Sequence, residues 1–378
     1  MTAIWSFPTR IVFGPGVSSR VGEEATALGI KRLLIVTDPG VEKVGLATGI
    51  RAALAQAGIA VATYTGVDGN PTEANIEGGA RAYAEHGADG VLALGGGSPM
   101  DAGKLIALRA RCSLSFEELD DAIDGGRHVP ADLPPIITIP TTAGTGSEVG
   151  RSAVLTLRST QRKTVVFSPR LLAKVALLDP ELTQSMPPAI TAATGFDALT
   201  HCIEAYLANG DHPMADAIAL SGVDIAAKFL ERAVKGGADL EARGMMMKAA
   251  MMGAVAFQKG LGACHSLAHP LSSEHGLHHG LANALCLPAV LRFNAAAVPE
   301  RVAHIGLLLG ATGEPLACAT AVAQLRARLG LAAGLSEVGI QSSHLAVLAD
   351  KAFADACHGS NPRACTRDDL LTLYEASL

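Results

Sequence analysis

Gly90-Val91-Leu92-Ala93-Leu94 runs straight into Gly95-Gly96-Gly97-Ser98-Pro99-Met100-Asp101. The first five residues read as a buried strand, the glycines as a tight turn, and Pro99 as an early position of a helix. Such a turn lets backbone N–H groups approach a ligand closely, and the helix start carries a partial positive charge, so a phosphate fits there. Without a ligand, the same stretch simply joins a strand to a helix. Three familiar loops are excluded by spacing. Gly97 to Gly103-Lys104 is one residue too long for GxxxxGK[ST], and Leu105 stands where that loop needs Ser or Thr. The third glycine of GxGxxG is missing, and Met100 takes the last position of a would-be GxSxG elbow.

The same strand-then-helix texture extends on both sides. Apolar runs at 33–37, 59–64, 90–94 and 135–139 alternate with helix-like segments near 41–57, 72–87 and 99–109. That alternation predicts a parallel, doubly wound sheet. Further strand-like text at 153–157, 163–167 and 174–178 reads as a hairpin and a final strand. After Asp179-Pro180 and the breaker Met186-Pro187-Pro188, only helix-period text follows, at 189–208, 212–235, 238–257, 298–309, 315–328, 343–355 and 367–376. The expectation is an α/β domain over 1–183 and an all-helical domain over 184–378.

Composition removes several classes of function. Of the 378 residues 49% are hydrophobic and 17% charged, against about 25% charged in an ordinary domain, which excludes a disordered chain. The net charge is −6 with no dense Lys/Arg run, so no nucleic-acid partner is expected. No apolar run approaches the ~18 residues that span a bilayer, and Met1 to Pro8 lacks a basic segment followed by an apolar one. Seven scattered cysteines without a CxxC pair read as reduced thiols. The expectation is a cytoplasmic protein with no membrane partner.

Two more turns resemble ligand loops. Pro140-Thr141-Thr142-Ala143-Gly144-Thr145-Gly146-Ser147-Glu148 follows a strand, and ligands of open α/β sheets bind beyond the carboxyl ends of strands. Two such loops suit one extended ligand with phosphates; a polar loop capping the next element is the plainer reading. Thr37-Asp38-Pro39-Gly40 places an acid after a strand, where it can bond a ribose 2′-hydroxyl and repel a 2′-phosphate, or merely make an Asx turn.

The histidines are clustered. Asp197 and His201 stand four apart in helical text, which puts both on one face, as a chelating pair or as a structural hydrogen bond. Five histidines follow within fifteen residues, His265, His269, His275, His278 and His279. His265 and His269 share a face only if the helix survives to Pro270, and residues before proline avoid the α region. One Asp with several His makes a mixed O/N site that suits Zn²⁺, Fe²⁺, Co²⁺ or Ni²⁺. HExxH is absent, which removes the zincins.

Taken together, the glycine turn with Asp101, the Pro140–Glu148 loop, Asp197-x-x-x-His201 and the stretch from His265 to Gly280 resemble the iron-containing (group III) alcohol dehydrogenases. The similarity runs from about Arg10 to Asn294 and weakens beyond. It implies a dinucleotide-binding α/β domain followed by an all-α domain, an architecture shared with dehydroquinate synthase. Metal ligands map onto Asp197, His201, His265 and His279, while His269 is non-ligating, lies near the substrate and is the candidate proton relay. Gly95, Gly96, Gly97, Ser98 and Asp101 take the pyrophosphate, and Thr141, Thr142 and Thr145 line the cofactor. Asp38 favours NAD over NADP, and Lys163 matches a cofactor-contacting lysine. Two departures stand out: Ser272 replaces the usual Gly after His-Pro-Leu, and His278 replaces the usual Pro before the last ligand. The implied activity is reversible hydride transfer between NAD and a small alcohol or aldehyde, with Fe²⁺ or alternatively Zn²⁺ as Lewis acid. Arg151 points to an alternative, a short carboxylate substrate such as 4-hydroxybutyrate or a maleylacetate type. A dehydroquinate synthase-like lyase is a second alternative, weakened by the lack of basic residues near the histidines. A homodimer or larger homo-oligomer is implied as well.

Overall fold

The computed structural model describes residues 7, 9–160 and 162–378, and they fall into two compact units. The first holds residues 7–142 and 147–185. The second holds 186–378 and takes Ala143–Gly146 from the threonine-rich loop.

In the first unit, six parallel strands form the sheet: β1 (Arg10–Phe13), β2 (Arg32–Val36), β3 (Ala60–Tyr64), β4 (Gly90–Gly95), β5 (Ile136–Pro140) and, after a hairpin, β8 (Val175–Leu178). Their spatial order is β1-β8-β5-β4-β2-β3. The hairpin strands β6 (Ser152–Thr156) and β7 (Lys163–Phe167) pair antiparallel in a separate two-stranded sheet. Helices α1 (Val21–Ala27), α2 (Pro39–Lys43), α3 (Leu46–Gln56), α4 (Glu73–His86) and α5 (Gly97–Arg109) connect the parallel strands.

Alternation of side chains along the strands splits the core into two layers. Leu33, Ile35, Leu92 and Leu94 pack with Val21, Ala25, Ile50 and Leu54 of α1 and α3. Leu34, Val36 and Val91 pack with Ile76, Tyr83, Leu105 and Ile106 of α4 and α5. Every residue of β4 is buried, as expected of a strand covered by helices on both faces. Close approach on one face depends on Gly103, where a Cβ would stand 2.7 Å from the Ala93 Cβ of β4.

Two expectations change here. The helix read over 41–57 is broken at Gly45, whose φ of +77° ends α2 and starts α3; glycine alone adopts that conformation without strain. β1 was not anticipated, because a four-residue, half-exposed edge strand carries little periodic signal.

The second unit is helical: α6 (Pro188–Leu207), α7 (Pro213–Lys235), α8 (Leu240–Ala256), α9 (Ala263–His275), α10 (His279–Asn294), α11 (Pro299–Leu308), α12 (Pro315–Arg328), α13 (Leu345–Phe353) and α14 (Arg367–Glu375). Helix α6 is buried around its whole circumference from Thr191 to Leu207, so it is the axis of the unit. Helix α9 runs straight through Pro270. Proline removes one backbone bond, but Ala263 to Ala268 and Leu271 are all buried, and that packing holds the helix together. Among the described residues no helix is long and apolar enough to cross a membrane.

Candidate metal centre and cofactor loops

Helix α6 sets the first pair of side chains. Asp197 and His201 lie one turn apart and are 3% and 6% exposed, with Asp197 Oδ1 4.0 Å from His201 Nε2. Because α9 persists past its proline, His265 and His269 lie on one face of it. His265 Nε2 comes within 3.9 Å of Asp197 Oδ1, and its ring stacks on His201 with centroids 4.7 Å apart. From the start of α10, His279 Nε2 reaches 3.6 Å from the same oxygen. Of the other two histidines, His275 is exposed and tilts against the His344 ring, and His278 is the N-cap residue of α10.

One carboxylate oxygen thus faces three imidazole nitrogens at 3.6, 3.9 and 4.0 Å. These separations are too long for hydrogen bonds. They are close to the roughly 3.4 Å that separates neighbouring donors around a tetrahedral ion with bonds of ~2.1 Å. Burial pushes the His201 pKa down to about 4, so its ring is neutral and has a lone pair to offer. Burial also acts against a charged His265, but hydrogen bonding and charge from Glu204, together with Asp197, raise its pKa. Asp197, His265 and His279 each offer a donor atom within 4.8 Å of the others, and His201 adds a nitrogen 4.0 Å from the same oxygen; this largely buried N/O set fits a divalent transition metal.

Several contacts escape simple motif reading. Glu204 Oε2 lies 2.5 Å from His265 Nδ1. Asn283 donates its amide to Asp197 Oδ1 at 2.8 Å. Both could have been anticipated from register, since Glu204 stands seven residues after Asp197 and Asn283 four after His279 on their own helices. His269 stacks on His279 with centroids 5.2 Å apart, and its Nδ1 lies 2.8 Å from Asp355 Oδ2. Asp355 Oδ1 accepts from Ser266 Oγ and the Cys357 amide, both at 2.8 Å. Partial burial pushes the Asp355 pKa up, but His269 and these donors outweigh it and hold the pKa well below the usual carboxylate range. Asp355 lies 86 residues beyond His269, and no local pattern announces it.

The loops assigned to the cofactor gather at the ends of three adjacent parallel strands. The chain leaves β2 for β3 on one side and returns to β4 on the other, so β2 and β4 flank the topological switch point. Asp38 follows β2 and caps α2 through Val41 N at 2.9 Å. A Cβ on Gly95 would meet the Pro99 ring at 2.6 Å and Asp38 Oδ2 at 3.3 Å, which places the acid over the glycine turn. Thr141 N donates to Gly95 O at 2.8 Å, and a Cβ on Gly96 would stand 3.4 Å from Thr142. Gly97 opens α5, and Ser98 Oγ donates to Gly69 O at 2.7 Å. Thr145 belongs to the helical unit.

Beneath these loops lies a buried charged network. Lys104 is fully buried and donates to Ser147 Oγ and Ser152 O, both at 2.8 Å. Ser147 Oγ donates in turn to Asp101 Oδ1 at 2.6 Å, and Val154 N donates to Asp101 Oδ2 at 3.1 Å. Asp101 therefore ties α5 to the end of the threonine loop and to β6. Burial lowers the pKa of Lys163, on β7, while Asp101 opposes that shift.

The family model described as iron-containing alcohol dehydrogenase matches residues 8–180, and that of the C-terminal domain of the same family matches residues 191–378. The chain belongs to the iron-containing alcohol dehydrogenase family. It is 41% identical to a 4-hydroxybutyrate dehydrogenase of Cupriavidus necator and 35% identical to an NAD-dependent methanol dehydrogenase of Bacillus methanolicus, each alignment covering 98% of both chains. The solved structure of a 1,3-propanediol oxidoreductase superposes with a TM-score of 0.94 at 35% identity over the whole of both chains. As a member of the iron-containing alcohol dehydrogenases, the protein is an oxidoreductase.

Gly280 makes the centre sensitive to a single methyl group. A Cβ there would lie 2.0 Å from the Ala193 carbonyl oxygen and 3.1 Å from Asp197 Cβ. Gly280→Ala is expected to push α10 away from α6, costing about 1–3 kcal/mol of stability. It should also weaken metal retention at least tenfold, measured by denaturant unfolding and by metal analysis after dialysis against chelator.

Proposed function

We propose that the protein interconverts a small alcohol and its aldehyde with NAD as the hydride carrier. The observation that carries this reading is the convergence of Asp197 Oδ1 with the Nε2 atoms of His201, His265 and His279. Those four residues would hold Fe²⁺, or alternatively Zn²⁺, which supplies Lewis acidity toward the substrate oxygen, while the nicotinamide supplies the hydride chemistry. The remaining work belongs to the chain. Gly95, Gly96, Gly97 and Ser98 offer backbone to the pyrophosphate, and Asp101 supports them from below through Ser147. Thr141, Thr142, Thr145 and Lys163 line the cofactor. Asp38 accepts a ribose hydroxyl and repels a 2′-phosphate, which favours NAD over NADP. His269, held at Nδ1 by Asp355, keeps its other nitrogen for the proton that must leave or join the substrate oxygen. The α/β domain thus carries the dinucleotide, and the helical domain carries the metal and the proton.

A carboxylate-bearing substrate is the second reading. The Cupriavidus relative is named for 4-hydroxybutyrate. Arg151 stacks on Phe167 at 5.1 Å, and no acidic side chain among the described residues pairs with it. Seven free cysteines fit a reducing cytoplasm. A homodimer or larger assembly fits an edge strand, β1, that benefits from cover.

His265→Ala is expected to lose metal and NADH production together. His269→Ala should keep its metal and lose about 10²–10⁴-fold in turnover, with both read by metal analysis and alcohol-dependent NADH formation. A fully active His269→Ala would remove the relay. If the carboxylate reading holds, Arg151→Ala raises KM for 4-hydroxybutyrate and leaves KM for 1-butanol unchanged.

A further inference from the structure

Glu204 is 2% exposed, two turns along α6 from Asp197. Among the described residues no lysine or arginine pairs with its carboxylate. Its partners are instead the start of α9. Oε1 accepts from Cys264 N at 2.7 Å, Oε2 accepts from His265 N at 3.3 Å, and Oε2 faces His265 Nδ1 at 2.5 Å. Room for it is kept by Gly262, where a Cβ would stand 2.7 Å from Oε1.

A carboxylate facing a ring nitrogen fixes which nitrogen carries the proton. With Nδ1–H donated to Glu204, the lone pair of His265 sits on Nε2, the atom that faces Asp197 Oδ1. Burying a carboxylate away from any lysine or arginine is costly, and the group beside it able to carry positive charge is the His265 ring, itself a member of the metal centre. Asp197 and Glu204 together bring two negative charges to it, which match a divalent ion held by otherwise neutral imidazoles.

Resting on the metal-dependent reading above, we propose that Glu204 is the positioning residue of the metal centre. It locks the His265 tautomer and supplies, through that ring, the second negative charge that sets affinity for a divalent ion. Asn283 does the complementary task for the other charged group by donating its amide to Asp197 Oδ1.

The test measures metal affinity rather than turnover. Wild type, Glu204→Gln, His265→Ala and the double variant are stripped with chelator and titrated with Zn²⁺ against a chromophoric competitor. Wild type is expected to bind one ion per chain, and Glu204→Gln to bind it about 10–100-fold more weakly. Adding Glu204→Gln to His265→Ala should cost nothing further, because the glutamate acts through that ring. Wild-type affinity in Glu204→Gln, or losses that simply add, would overturn the proposal while leaving the metal reading intact. A wild type that binds no ion would overturn both. Should Glu204→Gln fail to fold, ¹⁵N-histidine NMR of the zinc-loaded wild type decides the point. A proton on His265 Nδ1 supports the proposal, and a proton on Nε2 overturns it.

Discussion

The helical unit is organised around one buried oxygen. Asp197 Oδ1 faces three imidazole nitrogens at distances that are too long to bond and short enough to share an ion. A carboxylate in such a place is costly unless a cation joins it, so the surroundings hold the donors in place for one. Three helices must approach closely for that. Gly280 of α10 lies against the Ala193 carbonyl of α6, and Gly253 of α8 lies where a Cβ would meet His201 Cβ at 2.9 Å. Small residues here position ligands as much as they fill space.

The α/β unit is organised differently, around turns that expose backbone at the ends of its strands. Parallel strands buried on both faces leave only their carboxyl ends open to chemistry. The turns after β2, β4 and β5 are neighbours because those strands are neighbours. The buried lysine beneath them is expensive to bury alone. Its bonds to Ser147 and Ser152, and its nearness to Asp101, make it a fixed strut between α5 and the hairpin.

Much of this was readable from residue spacing. Alternating apolar runs announced the doubly wound sheet, and the four-residue step from Asp197 to His201 announced a shared helical face. Choosing among His275, His278 and His279 needed the resemblance to a family. What stayed hidden has physical reasons. Pro270 argued against a helix that burial then stabilised, and Gly45 divided what periodicity had joined. Asp355 reaches His269 only through tertiary packing of residues 86 apart. Glu204 stands at helical register after Asp197, but its partner ring lies 61 residues further along the chain and only tertiary packing brings the two together.

Metal analysis of anaerobically purified protein, joined to an NADH assay over alcohols and hydroxy acids before and after chelation, is the most direct measurement. Close to one iron or zinc per chain is expected. NADH formation should vanish on chelation and return when the metal does, with the fold unchanged by circular dichroism. Full activity in metal-free protein would contradict a catalytic role for the Asp197 centre.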